Sequence, residues 1–109
     1  MEAHNVEQHS WYLDDKNEDS VLVKYKYSPA RDRVIEFVIV YLTIVDGEPK
    51  EVIKYDFSQR EALNVHYYYR KPPAKQFIPS NPYPSFEEMW KHVEYIHDNW
   101  RSLKRKYKE

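Results

Sequence analysis

The run from Ser85 to Tyr107 constrains this chain more than any other feature. Phe86, Met89, Trp90, Val93, Ile96, Trp100, Leu103 and Tyr107 recur at threes and fours, the single apolar stripe of an amphipathic helix. Ser85 and Glu88 supply its start as a capping box, each side chain able to satisfy the other residue's free backbone N–H. A helix of about 22 residues is roughly 33 Å long. A nine-residue strand spans about 30 Å. The stripe can therefore lie along a whole sheet, and the rest of the chain must provide one.

Upstream, the apolar period changes from 3.6 to two. Val21, Val23, Tyr25 and Tyr27 alternate with Lys24 and Lys26 in a strand from about Ser20 to Tyr27. Ser28-Pro29-Ala30-Arg31-Asp32 reads as a turn. The next strand, Arg33 to Val45, is apolar on both faces, with Ile35, Phe37, Ile39 and Tyr41 on one and Val34, Val38, Val40 and Leu42 on the other, as for a central strand. Asp46-Gly47 is a hairpin signal, and either a two-residue turn or a three-residue bulged turn satisfies it, with opposite consequences for the register. Glu51 to Phe57 and Leu63 to Lys71 read as the third and fourth strands, the latter ended by Pro72-Pro73. Ala74 to Pro84 reads as an extended crossing segment anchored by Phe77 and Ile78.

The expected fold is α+β: a four-stranded antiparallel β-sheet, a meander, with one long C-terminal amphipathic α-helix packed on one face. Residues 1–18 are expected to be a polar N-terminal leader, partly flexible, whose Trp11-Tyr12-Leu13 packs back onto the domain or onto a partner, and residues 19–109 a single α+β domain. At 109 residues one domain is the expectation.

Composition excludes several classes. One glycine in the chain leaves nothing from which to build a glycine-rich phosphate loop. With no cysteine there are no disulfides or thiolate metal sites, and a reducing, cytoplasmic setting is the simplest expectation. The longest apolar run, Val34 to Val45, is interrupted by Glu36 and is too short to span a bilayer as a helix, so no membrane partner is expected. No cofactor is expected. The net charge of -1 hides an acidic head (Glu2, Glu7, Asp14, Asp15, Glu18, Asp19) and a basic tail (Arg101, Lys104, Arg105, Lys106, Lys108), which should attract each other within a chain or between subunits.

Candidate chemistry falls on the third and fourth strands. If Ile53, Tyr55, Phe57, Leu63, Val65, Tyr67 and Tyr69 meet the helix, the opposite face gathers Lys54, Asp56, Asn64, His66, Tyr68 and Arg70. His66 supplies an imidazole, which can serve as a general acid or base. Asp56 can orient it, and Lys54 can stabilise an oxyanion or hold phosphate. The candidate catalytic set is His66, Asp56 and Lys54; Arg70, Lys71, Tyr68 and Asn64 are candidates for binding nucleic acid, with Tyr68 as a stacking platform. The bland explanation is a solvated sheet face, which alternation makes polar in any case. No metal site is expected: His92 and His97 are five apart and do not share a helical face, and His4 and His9 lie in the leader.

The stretch Glu51-Val52-Ile53-Lys54-Tyr55-Asp56, with His66 after a short turn and Arg70 beyond it, resembles the TumE-type family of small prokaryotic toxin–antitoxin proteins. The resemblance runs from about Val21 to Trp90. It implies a toxin-like protein acting on RNA as a metal-independent endoribonuclease or RNA-binding protein, with Asp56, His66 and Arg70 in the site and a cognate antitoxin as partner. Phe57-Ser58-Gln59-Arg60 stands where that family tends to carry further histidines. The competing expectation is a non-enzymatic protein-interaction module, a homo-oligomer and specifically a homodimer through the uncovered sheet face. One helix cannot also cover Val38, Val40 and Leu42, so either a partner does, or Trp11-Tyr12-Leu13 does within the chain.

Overall fold

In the computed structural model, residues 5–30, 33–79 and 84–109 are described. The chain forms β1 (Asn5–Tyr12), β2 (Asp19–Tyr27), β3 (Val34–Val45), β4 (Glu48–Phe57), β5 (Asn64–Tyr67), β6 (Ala74–Phe77) and α1 (Phe86–Lys108). The six strands form one antiparallel meander whose spatial order is the sequence order, β1-β2-β3-β4-β5-β6. The α+β architecture with a single C-terminal helix on one face is as expected, but the sheet has six strands where periodicity gives four.

Both additional strands are edges. The expected leader is largely β1, paired with β2 from Asn5↔Tyr27 to Tyr12↔Ser20. Its polar composition follows from its place: Trp11, with Leu13 just after the strand, packs on the core, while most of its other side chains stay in water. The expected fourth strand is shorter than its apolar run suggests. β5 ends at Tyr67, the chain turns (Arg70 N–H donates to Tyr67 O at 3.3 Å), and Pro72-Pro73 sit in that turn before β6 returns alongside β5. The segment from Ala74 onward thus begins as a strand; Ser80, Asn81, Pro82 and Tyr83 lie outside the described residues, as do the expected turn's Arg31 and Asp32 and the leader's His4.

The β3–β4 turn is the two-residue form. Asp46 and Gly47 have φ of 53° and 80°, the left-handed pair of a type I′ hairpin, and Val45 opposes Glu48. β4 therefore starts three residues earlier than Glu51. Pro49 is tolerated because β5 pairs only with Ile53–Asp56 and leaves the start of β4 without a neighbour on that side. A bulge then resets the register: Tyr41 opposes Ile53 but Leu42 opposes Glu51, so Val52 is the extra residue and both Val52 and Ile53 are fully buried. A second irregularity, where Lys26↔Glu36 is followed by Tyr27↔Val34, brings Val34 rather than Ile35 into the core under the helix.

The inner face of the sheet, with Val23, Ile39, Tyr41, Ile53 and Val65 at its centre, meets Met89, Val93, Ile96, Trp100 and Leu103 of α1. Ser85 caps the helix, its Oγ accepting from Glu88 N–H at 3.1 Å. Propensity alone leaves a helix marginal in water; five buried side chains at about 1.5–3 kcal/mol each hold this one to the sheet. The outer face has no covering element among the described residues.

Candidate functional site

Strand register places Lys54, Asp56, Asn64 and His66. On the outer face Lys54 of β4 lies directly opposite His66 of β5, which in turn opposes Lys75 of β6. One row along, Asp56 opposes Asn64, and Asn64 opposes Phe77. His66 stacks on Tyr68, ring centroids 5.6 Å apart and planes at 9°. Burial and the charge of Glu51 push the Tyr68 phenol up. Lys75 forms an ion pair with Glu61, and its hydrogen bond holds that carboxyl below the usual range.

Lys54, Asp56, His66 and Tyr68 therefore share the outer face, while three expected members of the site do not join them. Asn64 is fully buried, and its Nδ2 donates to Asp56 O (3.2 Å) and Ala62 O (2.9 Å), fixing the β4–β5 turn. Arg70 lies beyond the end of β5 with its guanidinium 4.1 Å from the Tyr67 ring centre, on an inward-facing side chain. Lys71 donates to the backbone oxygen of Glu109. The physical reason is common to the last two: the strand ends at Tyr67, so alternation stops assigning faces there.

Among the described residues, shallow hollows on the outer face include two next to β3. One, of about 250 Å³, is centred on Val38 between Lys24 and Asp56; the other, of about 340 Å³, lies among Tyr12, Ser20, Leu22 and Leu42. His66 lines neither, so Asp56 opens onto a concavity that does not hold the imidazole.

The most connected polar cluster among the described residues lies elsewhere and is buried at its centre. Asp19, at 0% exposure, accepts from the Tyr41 hydroxyl at 2.7 Å and from Lys104 Nζ at 2.9 Å, and Lys104 also approaches Glu18 at 3.8 Å. Asp14 Oδ1 accepts from the backbone N–H groups of Glu18 (3.0 Å) and Asp19 (2.9 Å), drawing the β1–β2 loop tight. Burial pushes the Asp19 carboxyl up, but the hydrogen bonds from Tyr41 and Lys104 outweigh it and hold the group below its ordinary value. Burial and the adjacent Asp19 push the Tyr41 phenol strongly up. This cluster fastens the C-terminal half of α1 to the start of β2. The opposed charge of head and tail was its only trace in the sequence; the specific partners, 85 residues apart, had no local signal. The carboxylates of Asp14, Glu18 and Asp19 come within 4.8 Å of one another, and the backbone amides and Lys104 already serve them.

Half-buried His92 stacks on Tyr55 (4.4 Å, 20°), and burial lowers its pKa. No helix among the described residues is long and apolar enough to cross a membrane.

Fold and surface together define a small α+β domain: a six-stranded antiparallel meander, one face closed by a helix, the other without a covering element among the described residues. Residues 4–109 match the family described as Domain of unknown function (DUF7718), and the chain belongs to that family. No curated protein and no solved structure matches it significantly.

Proposed function

We propose that this domain is a non-enzymatic interaction module that docks a protein partner on the outer face of its sheet. One observation carries the reading. Of the five large apolar side chains exposed among the described residues, four (Val6, Tyr12, Ile44 and Phe77) fall on the outer face by strand alternation; only Tyr95 lies on the helix. They surround half-buried Leu22, Val38 and Leu42. Exposed apolar side chains are ordinary singly, and collected on one face they mark a contact surface. A cysteine-free composition is compatible with a cytoplasmic setting.

A toxin-like action on RNA, with an antitoxin as partner, draws support from the stacked His66–Tyr68 pair opposite Lys54. It is weakened by Asn64, Arg70 and Lys71, which are spent on structure. The outer-face charges are also mixed among the described strand residues: Lys24, Lys26, Lys54 and Lys75 accompany Glu36, Glu51 and Asp56, and Lys75 is already paired with Glu61. Phosphate binding calls for an excess of cations.

Photocrosslinking tests the reading. Benzoylphenylalanine at Leu42, on the outer face, should give covalent protein adducts in the producing cells, whereas the same group at Glu94, on the exposed side of α1, should not. Absence of adducts at position 42 would overturn the proposal.

A further inference from the structure

We infer that the partner on this face is a second copy of the same chain, packed sheet to sheet about a two-fold axis running along β3. The inference rests on the interaction reading above and adds the occupant and the geometry.

Val38, Val40 and Leu42 form one apolar line along β3, flanked by lysines on β2 and by Lys54 and Asp56 on β4. A two-fold contact is self-complementary: whatever residue i meets in the partner, its equivalent meets in return. An axis along β3 sets this line against itself, and it exchanges the β2 and β4 sides. Lys24 and Asp56 occupy the same row, each adjacent to Val38, so the axis brings each lysine to the partner's aspartate, twice per dimer. Within one chain the two strands are about 10 Å apart, and neither residue forms an ion pair among the described residues. The small Val38 side chain between them leaves the 250 Å³ hollow, open to the long lysine of the other copy. An axis across the strands, centred between Val38 and Val40, would instead set Leu42 against Glu36; centred on Val40, it would set Lys54 against Lys54. The axis along β3 matches the apolar line with itself and Lys24 with Asp56; it also lays Lys54 over Leu22, and sets Glu36, whose charge Lys26 meets within the chain at 2.9 Å, beside its own copy.

The area is sufficient. About this axis β3 overlaps its own copy, β2 the partner's β4 and β1 the partner's β5, over strands of four to twelve residues, which gives roughly 600 Å² in projection and more as accessible surface. Stable interfaces bury about 800 Å² per partner. Aligned sheet packing of this kind tolerates the ~30° offset that strand twist imposes.

Analytical ultracentrifugation of the purified chain, with Lys24→Asp, Asp56→Lys and the double exchange, tests this. The wild type should sediment as a dimer at about 100 µM, well above a micromolar Kd. Each single exchange opposes like charges twice and should weaken association at least about tenfold. The double exchange restores every pair with its sign reversed and should recover the dimer; circular dichroism and thermal melting confirm that all four proteins fold. A folded monomeric wild type, or a double exchange no tighter than the single ones, overturns the inference. A monomer that still gives adducts at Leu42 refutes the second copy and leaves the interaction reading standing. A monomer that gives none removes both.

Discussion

Replacing Lys104 by methionine isolates the charge that holds α1 to the sheet. The methionine keeps most of the apolar stem and removes the ammonium that lies 2.9 Å from Asp19 Oδ2. Asp19 is then a buried carboxylate left with the Tyr41 hydroxyl and no cation. Breaking a fully buried pair by deleting one member costs about 3–5 kcal/mol. The Lys104 side chain is 21% exposed and that of Asp19 1%, so water reaches one end of the pair, and about 2–3 kcal/mol is the expected loss at pH 7. For a domain of this size that is a fall in Tm of roughly 8–20 °C. The sign with pH follows from the depressed Asp19 pKa. In the wild type its contribution is complete above the unfolded value near 3.9 and is lost as pH falls through the lower folded value. The Lys104→Met penalty should therefore shrink as the carboxylate takes up a proton, because a neutral Asp19 no longer needs the ammonium. Urea denaturation of both proteins at pH 7, 5 and 3.5 measures this. A penalty below about 0.5 kcal/mol at pH 7, the scale of an ordinary surface change, refutes the argument. So does a penalty that stays constant down to pH 3.5, which would assign the loss to packing.

Other changes test local claims. Ser85→Ala removes the acceptor for Glu88 N–H and should cost about 1 kcal/mol in urea denaturation. Gly47→Ala meets no atom within 4 Å, so its cost of about 1–2 kcal/mol comes from the backbone at φ 80° alone, and Gly47→Asn should recover part of it. Incubated with RNA in the absence of metal, the wild type and His66→Ala should give indistinguishable patterns on a denaturing gel. Cleavage lost in the variant would restore the ribonuclease reading over the interaction one.

The helix was legible because two independent signals, the Ser85–Glu88 cap and an eight-residue stripe, agree along one segment. β2 and β3 were legible because their alternation is driven by burial on the inner face. The edges were not. In β1 every residue but Glu7 and Trp11 is exposed, and in β6 three of four are exposed, so neither strand has an apolar period to read. The outer-face chemistry divided along the same line. Lys54, Asp56 and His66 followed the strand period to the expected face, Tyr68 joins them just past the strand by stacking on His66, Asn64 is buried on two backbone carbonyls, and Arg70 left the ladder where the turn began. Asp19 looked like one acid among several in a polar head. Its role depends on a lysine that only the packed helix brings to it.

The meander followed by a single late helix has a consequence during synthesis. Each strand can pair with the one before it as soon as it leaves the ribosome, since a hairpin forms in about 1–10 µs. The helix that seals the inner face comes last, and its 23 residues take about 1–5 s to make at ~5–20 residues per second. For those seconds the nascent chain carries a paired sheet whose Val23, Ile39 and Ile53 face water, and a ribosome stalled before Phe86 would hold it in that sticky state.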